Sequence, residues 1–331
     1  MQDSKLNDIA VKRSRAAFTI AVGKPIYIKM ALALARSFLR FNRDNGIRFA
    51  LVTDRPISDR PADLIEIEWI QIAKREFGDG FTPKLYLDRI APADRAMFID
   101  ADCLCVASLA PAFDAFAGRA VAVIGRRIED GEWFGDVAAI AARLGVTGYP
   151  RFNGGVYYLE RGESCSAIYE TAREILPRYD ELGFVRLRSS PNDEVIMAAA
   201  MALHGAEAIP ETGTIMNTLM AAPGGLSIDV LDGHAVLRNP RSHPAYNAWY
   251  TLEEMRPALV HFLGRDVADH PYRTEILVLE RVAAGWPDAA ARAYGTVRSK
   301  VPWVLGDLAK NLARPLYRAA FGTRGVRATA R

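Results

Sequence analysis

The residues of this chain best placed to do chemistry are Asp100 and Asp102, in the run Phe98-Ile99-Asp100-Ala101-Asp102. An extended backbone sends side chains two residues apart to the same side, so the spacing predicts two convergent carboxylates. Convergent carboxylates make a hard-oxygen site suited to Mg2+ or Mn2+, ions that keep open positions for the phosphates of a substrate. An Asp-x-Asp on its own carries little weight in a chain of 331 residues, so the context decides. The pair follows the apolar run Ala96-Met97-Phe98-Ile99. Carboxylates at the end of a covered strand are costly without a counter-ion, so a cation or a basic neighbour is expected there.

Elements that could position such a pair can be read along the chain. Phe18 to Val22 reads as a strand, Gly23 to Pro25 as a loop, and Ile28, Ala31, Leu32, Ala35, Phe38 and Leu39 have helical spacing. Strands are predicted at Arg48 to Thr53 and Ile65 to Ile72, with Pro56 and Pro61 as breakers between them. Lys84 to Ile90 reads as a short helix, and Arg95 to Val106 as one strand through the aspartate pair. Further strands are expected at Ala120 to Ile124, Gly154 to Leu159, Ala206 to Ile209, Val230 to Asp232, Val236 to Leu237 and Leu259 to Phe262. Helices are expected at Val137 to Leu144, at Ser164 to Leu176 and, opened by Ser190 as cap and Pro191 as first residue, through Met197 to Leu203. Alternating strands and helices predict a mainly parallel sheet flanked by helices. In such sheets ligands are held at the carboxyl ends of the strands, which is where Asp100 and Asp102 fall.

Four separated blocks resemble the retaining glycosyltransferases of the glycogenin and bacterial lipooligosaccharide galactosyltransferase group, family 8 of the GT-A fold. They are Met97-Phe98-Ile99-Asp100-Ala101-Asp102-Cys103-Leu104-Cys105-Val106, Phe152-Asn153-Gly154-Gly155-Val156, Asn192-Asp193-Glu194 and His261-Phe262-Leu263-Gly264, in the family's order. The resemblance spans about Phe18 to Arg265 and implies a GT-A catalytic domain over residues 1–265, followed by a helical, basic extension over 266–331. It implies an enzyme that moves a hexose from a nucleotide-diphospho-sugar, a UDP-sugar above all, to an acceptor hydroxyl. Mn2+ or Mg2+ would stabilise the charge on the departing diphosphate.

Roles follow from the resemblance position by position. His261 becomes a third metal ligand beside Asp100 and Asp102. Lys84, Tyr27 and Arg265 become donor contacts: Lys84 near the phosphates, Tyr27 stacked on the base, and Arg265 in the place of a late family lysine. Asn153 would hydrogen-bond the donor sugar, with Gly154 and Gly155 allowing close approach. Asp193 and Glu194 would face the reactive carbon. Other readings of the same residues stand beside these: Tyr27 as core packing, Lys84 as a solvated helix lysine, and Asp193 closing a capping box with Ser190. Three departures from the family pattern are visible: Gly23-Lys24 where an acidic residue recognises the nucleoside, Arg265-Asp266-Val267 where the family runs toward Lys-Pro-Trp, and Asp193-Glu194 in place of Asp-Gln. A sugar nucleotidyltransferase and a non-catalytic sugar-nucleotide or glycan-binding protein stay open as alternatives.

Composition bounds the rest. Forty-two basic against thirty-nine acidic residues give a net charge of +3, with no indication of a nucleic-acid partner. The cysteines are Cys103, Cys105 and Cys165, an odd set without zinc-site spacing that suits a reducing compartment. Met1 to Arg15 is polar and charged rather than a secretory leader, so a cytoplasmic protein is expected. The end of the chain is different. From Ala289 onward nine basic residues face a single acid, Asp307. Leu305, Leu308, Leu312 and Leu316 recur at helical spacing, with Trp303 and Phe321 near the ends and Lys310, Arg314 and Arg318 on another face. This predicts a basic amphipathic helix over residues 300–321 lying on an anionic membrane surface, interrupted at Pro315, with a glycan or lipid-linked acceptor for polysaccharide biosynthesis.

Overall fold

The computed structural model describes residues 14–322. The readings that rest on Met1 to Arg13, and on Arg324, Arg327 and Arg331, lie outside the described residues, as do the side chains of Leu316 and Phe321. The chain divides into two compact units, Met1–Phe262 and Leu263–Arg331.

The first unit is built on a six-stranded sheet. β1 (Arg15–Ala21), β2 (Ile47–Thr53), β3 (Glu68–Gln71) and β4 (Arg95–Ile99) run parallel in the order β3-β2-β1-β4. β1 and β4 lie in the middle, and Ala16, Ala17, Phe18, Ala96, Met97, Phe98 and Ile99 are all buried, as expected of strands covered on both faces. The helix α1 (Pro25–Asn42) follows β1, with Pro25 in its first turn and Met30, Leu34 and Phe38 buried along one side. A 3-10 turn (Thr82–Tyr86) and the single-turn α2 (Leu87–Ile90) lead into β4.

Beyond β4 the structure departs from the strand read through Arg95 to Val106. The backbone turns at Asp100, whose carbonyl accepts from Cys103 N at 3.0 Å. The segment β5 (Cys103–Cys105) then joins a different, three-stranded sheet. Apolar composition runs through both strands and cannot register a change of sheet. Side-chain hydrogen bonds from α1 fix this second strand. Ser37 Oγ accepts from Cys105 N at 3.0 Å, and Asn42, with no exposed surface, accepts from Leu109 N at 2.7 Å while its amide donates to the carbonyls of Phe38 (3.0 Å) and Ala107 (3.3 Å).

The helix α3 (Ala110–Phe116) leads to β6 (Val121–Ala122), and a small hairpin pairs β7 (Gly125–Ile128) with β8 (Tyr149–Phe152) around α4 (Val137–Leu144). β9 (Val156–Glu160) returns antiparallel between β4 and β6, so the sheet is mainly, not wholly, parallel. Then come α5 (Glu163–Ile175) and α6 (Asp193–Leu203). The cap of α6 is Asn192, whose side chain accepts from Glu194 N at 3.1 Å. Ser190 instead exchanges backbone hydrogen bonds with Leu187, so neither the Ser190 cap nor the Ser190-Asp193 capping box forms.

The small second sheet is completed by β10 (Met216–Thr218), paired parallel with the later β14 (Leu259–His261), which lies antiparallel to β5. A further sheet holds β11 (Leu226–Asp229), β12 (His234–Arg238) and β13 (Glu254–Met255). Two expected strands are absent as such: Ala206 to Ile209 contributes one bridge, Ile124 to Ile209, and Val230 to Asp232 is the turn between β11 and β12.

The second unit is helical: α7 (Tyr272–Ala283), α8 (Asp288–Gly295), a π-helical turn (Thr296–Lys300) and α9 (Val301–Phe321). Pro315 lies inside α9 without ending it, contrary to the interruption read from the sequence. Val304, Leu305, Leu308 and Leu312 are exposed. No described helix is long and apolar enough to cross a membrane.

Because Asn42 alone satisfies Leu109 N, replacing it by alanine strands a buried amide and removes the ties from α1 to Ala107 and Leu109, beyond β5. Asn42→Ala should cost about 2–4 kcal/mol, measured as a fall in thermal stability of several degrees or as a lower denaturant midpoint at unchanged slope.

Candidate active site

Two strand registers assemble the site. Ile99 pairs with Val156, and Asp100 N continues that ladder by donating to Gly155 O at 2.9 Å, which sets Asn153-Gly154-Gly155 against the aspartate turn. His261 pairs with Cys103, and Phe262 N donates to Asp102 O at 3.0 Å, which brings the end of β14 to the same place. Asp100, Asp102, Asn153 and His261 thus meet at the carboxyl end of β4. They converge through a turn and a second sheet, not through side-chain alternation along one strand.

His261 is 2 % exposed and held from two sides. Its Nδ1 lies 2.8 Å from Asn153 Oδ1, an oxygen that also accepts from Gly155 N at 3.1 Å. An acceptor at that position places the proton on Nδ1, so Nε2 is the nitrogen turned to the carboxylates. It stands 3.0 Å from Asp102 Oδ1 and 3.7 Å from Asp100 Oδ2. Burial opposes the imidazolium, but Asp102 and then Asp100 outweigh it, and the group is raised above the ordinary histidine value. Gly155 has no room for a side chain: a β-carbon there would press on the imidazole Nδ1 and lie 2.8 Å from Cε1.

The ligand atoms of Asp102, Cys103 and His261 lie within 4.8 Å of one another, with Asp100 adjoining at His261. The donor set fits a hard divalent cation through Asp102 and His261: neighbouring ligands in an octahedron with bonds of about 2.1 Å are about 3.0 Å apart. Cys103 suits it less well. Burial, then Asp102, raises its thiol well above the ordinary value, and a protonated thiol is a poor ligand for such an ion. Asp100 is the better third ligand by chemistry, although its Oδ2 is engaged by Lys84 at 2.8 Å.

Lys84 reaches in from the 3-10 turn. Its ammonium donates to Asp100 Oδ2 and, at 3.0 Å, to Gly154 O, and lies 3.7 Å from Asp193 Oδ2. It is therefore no solvated helix lysine. Burial works against its charge, yet Asp100 and Asp193 more than compensate and its pKa is raised. Asp193, 2 % exposed, also accepts from Tyr157 OH at 2.7 Å. Glu194 is more accessible, and its Oε1 accepts from Gly154 N at 2.7 Å. Burial, then the neighbouring Asp193, lifts the Glu194 carboxyl to about 7.

Two further expected residues, Tyr27 and Arg265, are both exposed. Tyr27 is 38 % exposed at the start of α1, with Lys24 Nζ 5.9 Å from its ring centroid, so it is not a core residue. Arg265 is exposed on a 3-10 turn (Gly264–Ala268) of the second unit. Near Gly23 an acid does enter, by a route the local sequence conceals: Asp54, after β2, accepts from Gly23 N at 3.1 Å. Tyr157 escaped the sequence reading altogether. Its signal was two adjacent tyrosines, Tyr157 and Tyr158, in a buried strand, where hydroxyls need partners.

The architecture is of the GT-A type, an α/β sheet that holds its polar cluster at the carboxyl ends of the parallel strands. In solved structures it is similar to the galactosyltransferase LgtC in complex with donor and acceptor sugar analogues, with a TM-score of 0.52 and 16 % identity over 82 % of this chain and 95 % of that one. An active-site glutamine-to-glutamate variant of LgtC gives a TM-score of 0.51 and 17 % identity over the same shares. No family model matches the chain, and no curated protein matches it in sequence.

The Glu194 carboxyl titrates in a useful range. A folded-state pKa raised from 4.5 to about 7 contributes stability that is present below pH 4.5 and lost as pH rises through about 7. Glu194→Gln keeps an acceptor for Gly154 N and removes the titration. The variant should show a flatter melting-temperature profile across this window and should exceed the parent in stability at pH 8. Identical profiles for the two proteins would refute the assignment.

Proposed function

We propose that this chain is a metal-dependent glycosyltransferase that moves a hexose from a nucleotide-diphospho-sugar, a UDP-sugar in the first instance, to an acceptor hydroxyl. The observation that carries the reading is the meeting of Asp100, Asp102 and His261 at one end of a GT-A sheet, with His261 Nε2 turned toward both carboxylates. A bound Mn2+ or Mg2+ would supply counter-charge for the diphosphate as it departs.

The chain's own residues divide the remaining work. Asp102 and His261, with Asp100, would hold the cation. Lys84 adds a fixed positive charge beside Asp100 and favours its ionised form against the effect of burial. Asn153 spends its carbonyl oxygen on His261 and Gly155 and so presents its amide N–H groups to the sugar. Of the two acids, Asp193 is enclosed by Tyr157 and Lys84, which suits orientation and charge stabilisation, and Glu194 is the one with access to a substrate. The exposed Tyr27 is available to stack on a base, and Arg265 is offered as a phosphate contact in place of the family's lysine. Retention of anomeric configuration is carried over from the family resemblance. LgtC was crystallised with donor and acceptor sugar analogues, which favours transfer over nucleotidyl exchange as the reaction of this fold.

Mn2+-dependent hydrolysis of a UDP-sugar tests the reading directly. Asp102→Ala should lower turnover by about 100-fold or more and abolish the Mn2+-dependent rise in melting temperature, while its metal-free melting curve shows that it is folded. Absence of turnover and of donor-dependent stabilisation with every nucleotide-sugar tried would sink it and favour a binding protein.

The acceptor is read as a cell-surface or lipid-linked glycan met at the inner face of a membrane. Support comes from α9, where Leu305 (59 %), Leu308 (54 %) and Leu312 (70 %) are exposed alongside Lys310 and Arg314. Co-sedimentation with phosphatidylserine vesicles should be strong at low salt, weak with neutral vesicles, and reduced several-fold by Leu308→Glu with Leu312→Glu. Equal recovery on neutral and anionic vesicles would argue against it.

A further inference from the structure

β7 and β8 pair with Arg126 directly opposite Arg151. Like charges in facing positions repel, and a hairpin under no other demand would set an acid against one of them. None is there: among the described residues neither guanidinium forms an ion pair. Both close instead on the indole of Trp249, at 4.0 Å and 3.8 Å from its ring centroid. At these distances both guanidiniums are in van der Waals contact with the one ring. Cation–π stacking occupies the faces of an arginine and leaves its row of edge N–H donors uncommitted.

The clamp is built into the fold. Trp249 belongs to a loop held by Asn239, a residue with no exposed surface that donates to the carbonyls of Asn247 (3.0 Å) and Tyr250 (2.7 Å) and accepts from Asn247 N (3.0 Å). Trp249 N in turn donates to Asn247 Oδ1 at 3.1 Å. Half-buried Arg151 is also electrostatically strained: burial, then Arg126, lowers its pKa, while Tyr250 and Glu194 oppose them.

Position indicates what the pair is for. Arg151 precedes Phe152 and then Asn153-Gly154-Gly155, the loop at the centre of the site. Gly155 faces His261 and the metal-binding side, whereas Gly154 faces Asp193, Glu194 and Tyr157. Arg151 feels the charge of Glu194, the acid proposed above to face the reacting carbon, so in that reading the pair lies on the Glu194 side of the loop rather than the metal-binding side. We propose that Arg126 and Arg151, held against Trp249, are an anion-binding subsite that recognises a phosphate carried by the acceptor. This rests on the glycosyltransferase reading for the word acceptor. Two guanidiniums held against one ring favour an anion with more than one charge and several oxygens, a phosphate or diphosphate, over a carboxylate.

Calorimetric titration of the full chain with inorganic phosphate, in metal-free buffer at fixed ionic strength, tests the subsite without donor or cation. Saturable binding is expected, weakened about tenfold by Arg126→Gln and by Arg151→Gln, with acetate bound about tenfold less well than phosphate. Arg126 is exposed and sits in a repelling pair, so Arg126→Gln should fold with an undiminished melting temperature, which a purely structural clamp would not allow. No saturable phosphate binding, a loss below about threefold in both variants, or acetate bound as tightly as phosphate overturns the proposal. Failure of donor hydrolysis with phosphate binding intact would instead refute the enzyme and leave an anion site.

Discussion

The site depends on one half-buried ammonium. Lys84 touches Asp100, Asp193 and the carbonyl of Gly154, which belong to the end of β4, the start of α6 and the loop before β9. A charge in this position is stable only if its partners are ionised and in place, and they are costly to bury without it. Removing Lys84 would leave the half-buried Asp100 and the buried Asp193 without their shared counter-charge, at a penalty of about 3 kcal/mol. The same contact that orients the acids therefore also locks the three elements together. The balance is deliberately incomplete: Asp100, Asp102, Asp193 and Glu194 outnumber Lys84 and His261. The excess shows in Asp100, raised by burial despite Lys84, and in Glu194, raised by burial and by Asp193. Surplus carboxylates and a histidine nitrogen aimed at two of them are the features that the proposed divalent cation would neutralise.

Much of the sheet was legible because its signals are local. The apolar runs at Phe18 and Phe98, the helical spacing after Pro25 and the Gly-Gly before Val156 each reflect burial or backbone freedom that a short window records. What the window could not record was pairing. The turn at Asp100 lies between two apolar strands, so Arg95 to Val106 read as one element although it serves two sheets. Convergence of the aspartates was inferred from alternation along a strand but arises from that turn, and His261 arrives through its register with Cys103.

Errors at α6 have a similar origin. Ser190-Pro191 is a good local start signal, yet Asn192 lies closer to the first free N–H groups and takes the cap, which releases Asp193 to meet Tyr157 and Lys84. Arg126 and Arg151 could not be found at all from spacing: twenty-five positions part them in sequence, and only the β7–β8 register sets them face to face around a tryptophan almost a hundred residues later. Order along the chain located the family-like blocks, while long-range register supplied the electrostatics between them.

The one departure that falls inside the cluster is the glutamate at position 194 where the resembling family has glutamine. In an ordinary environment this exchange adds a full charge beside Asp193, and the two carboxylates would repel. Here burial and that same repulsion hold the group near neutrality, with a pKa of about 7. A protonated Glu194 keeps one oxygen for Gly154 N and can carry a hydroxyl donor on the other, which is the acceptor-plus-donor pattern a glutamine amide offers from the same position. The substitution is therefore chemically small at mildly acidic pH and grows as the proton leaves. Burial and the neighbouring Asp193 are thus what let this chain carry an acid in an amide's place.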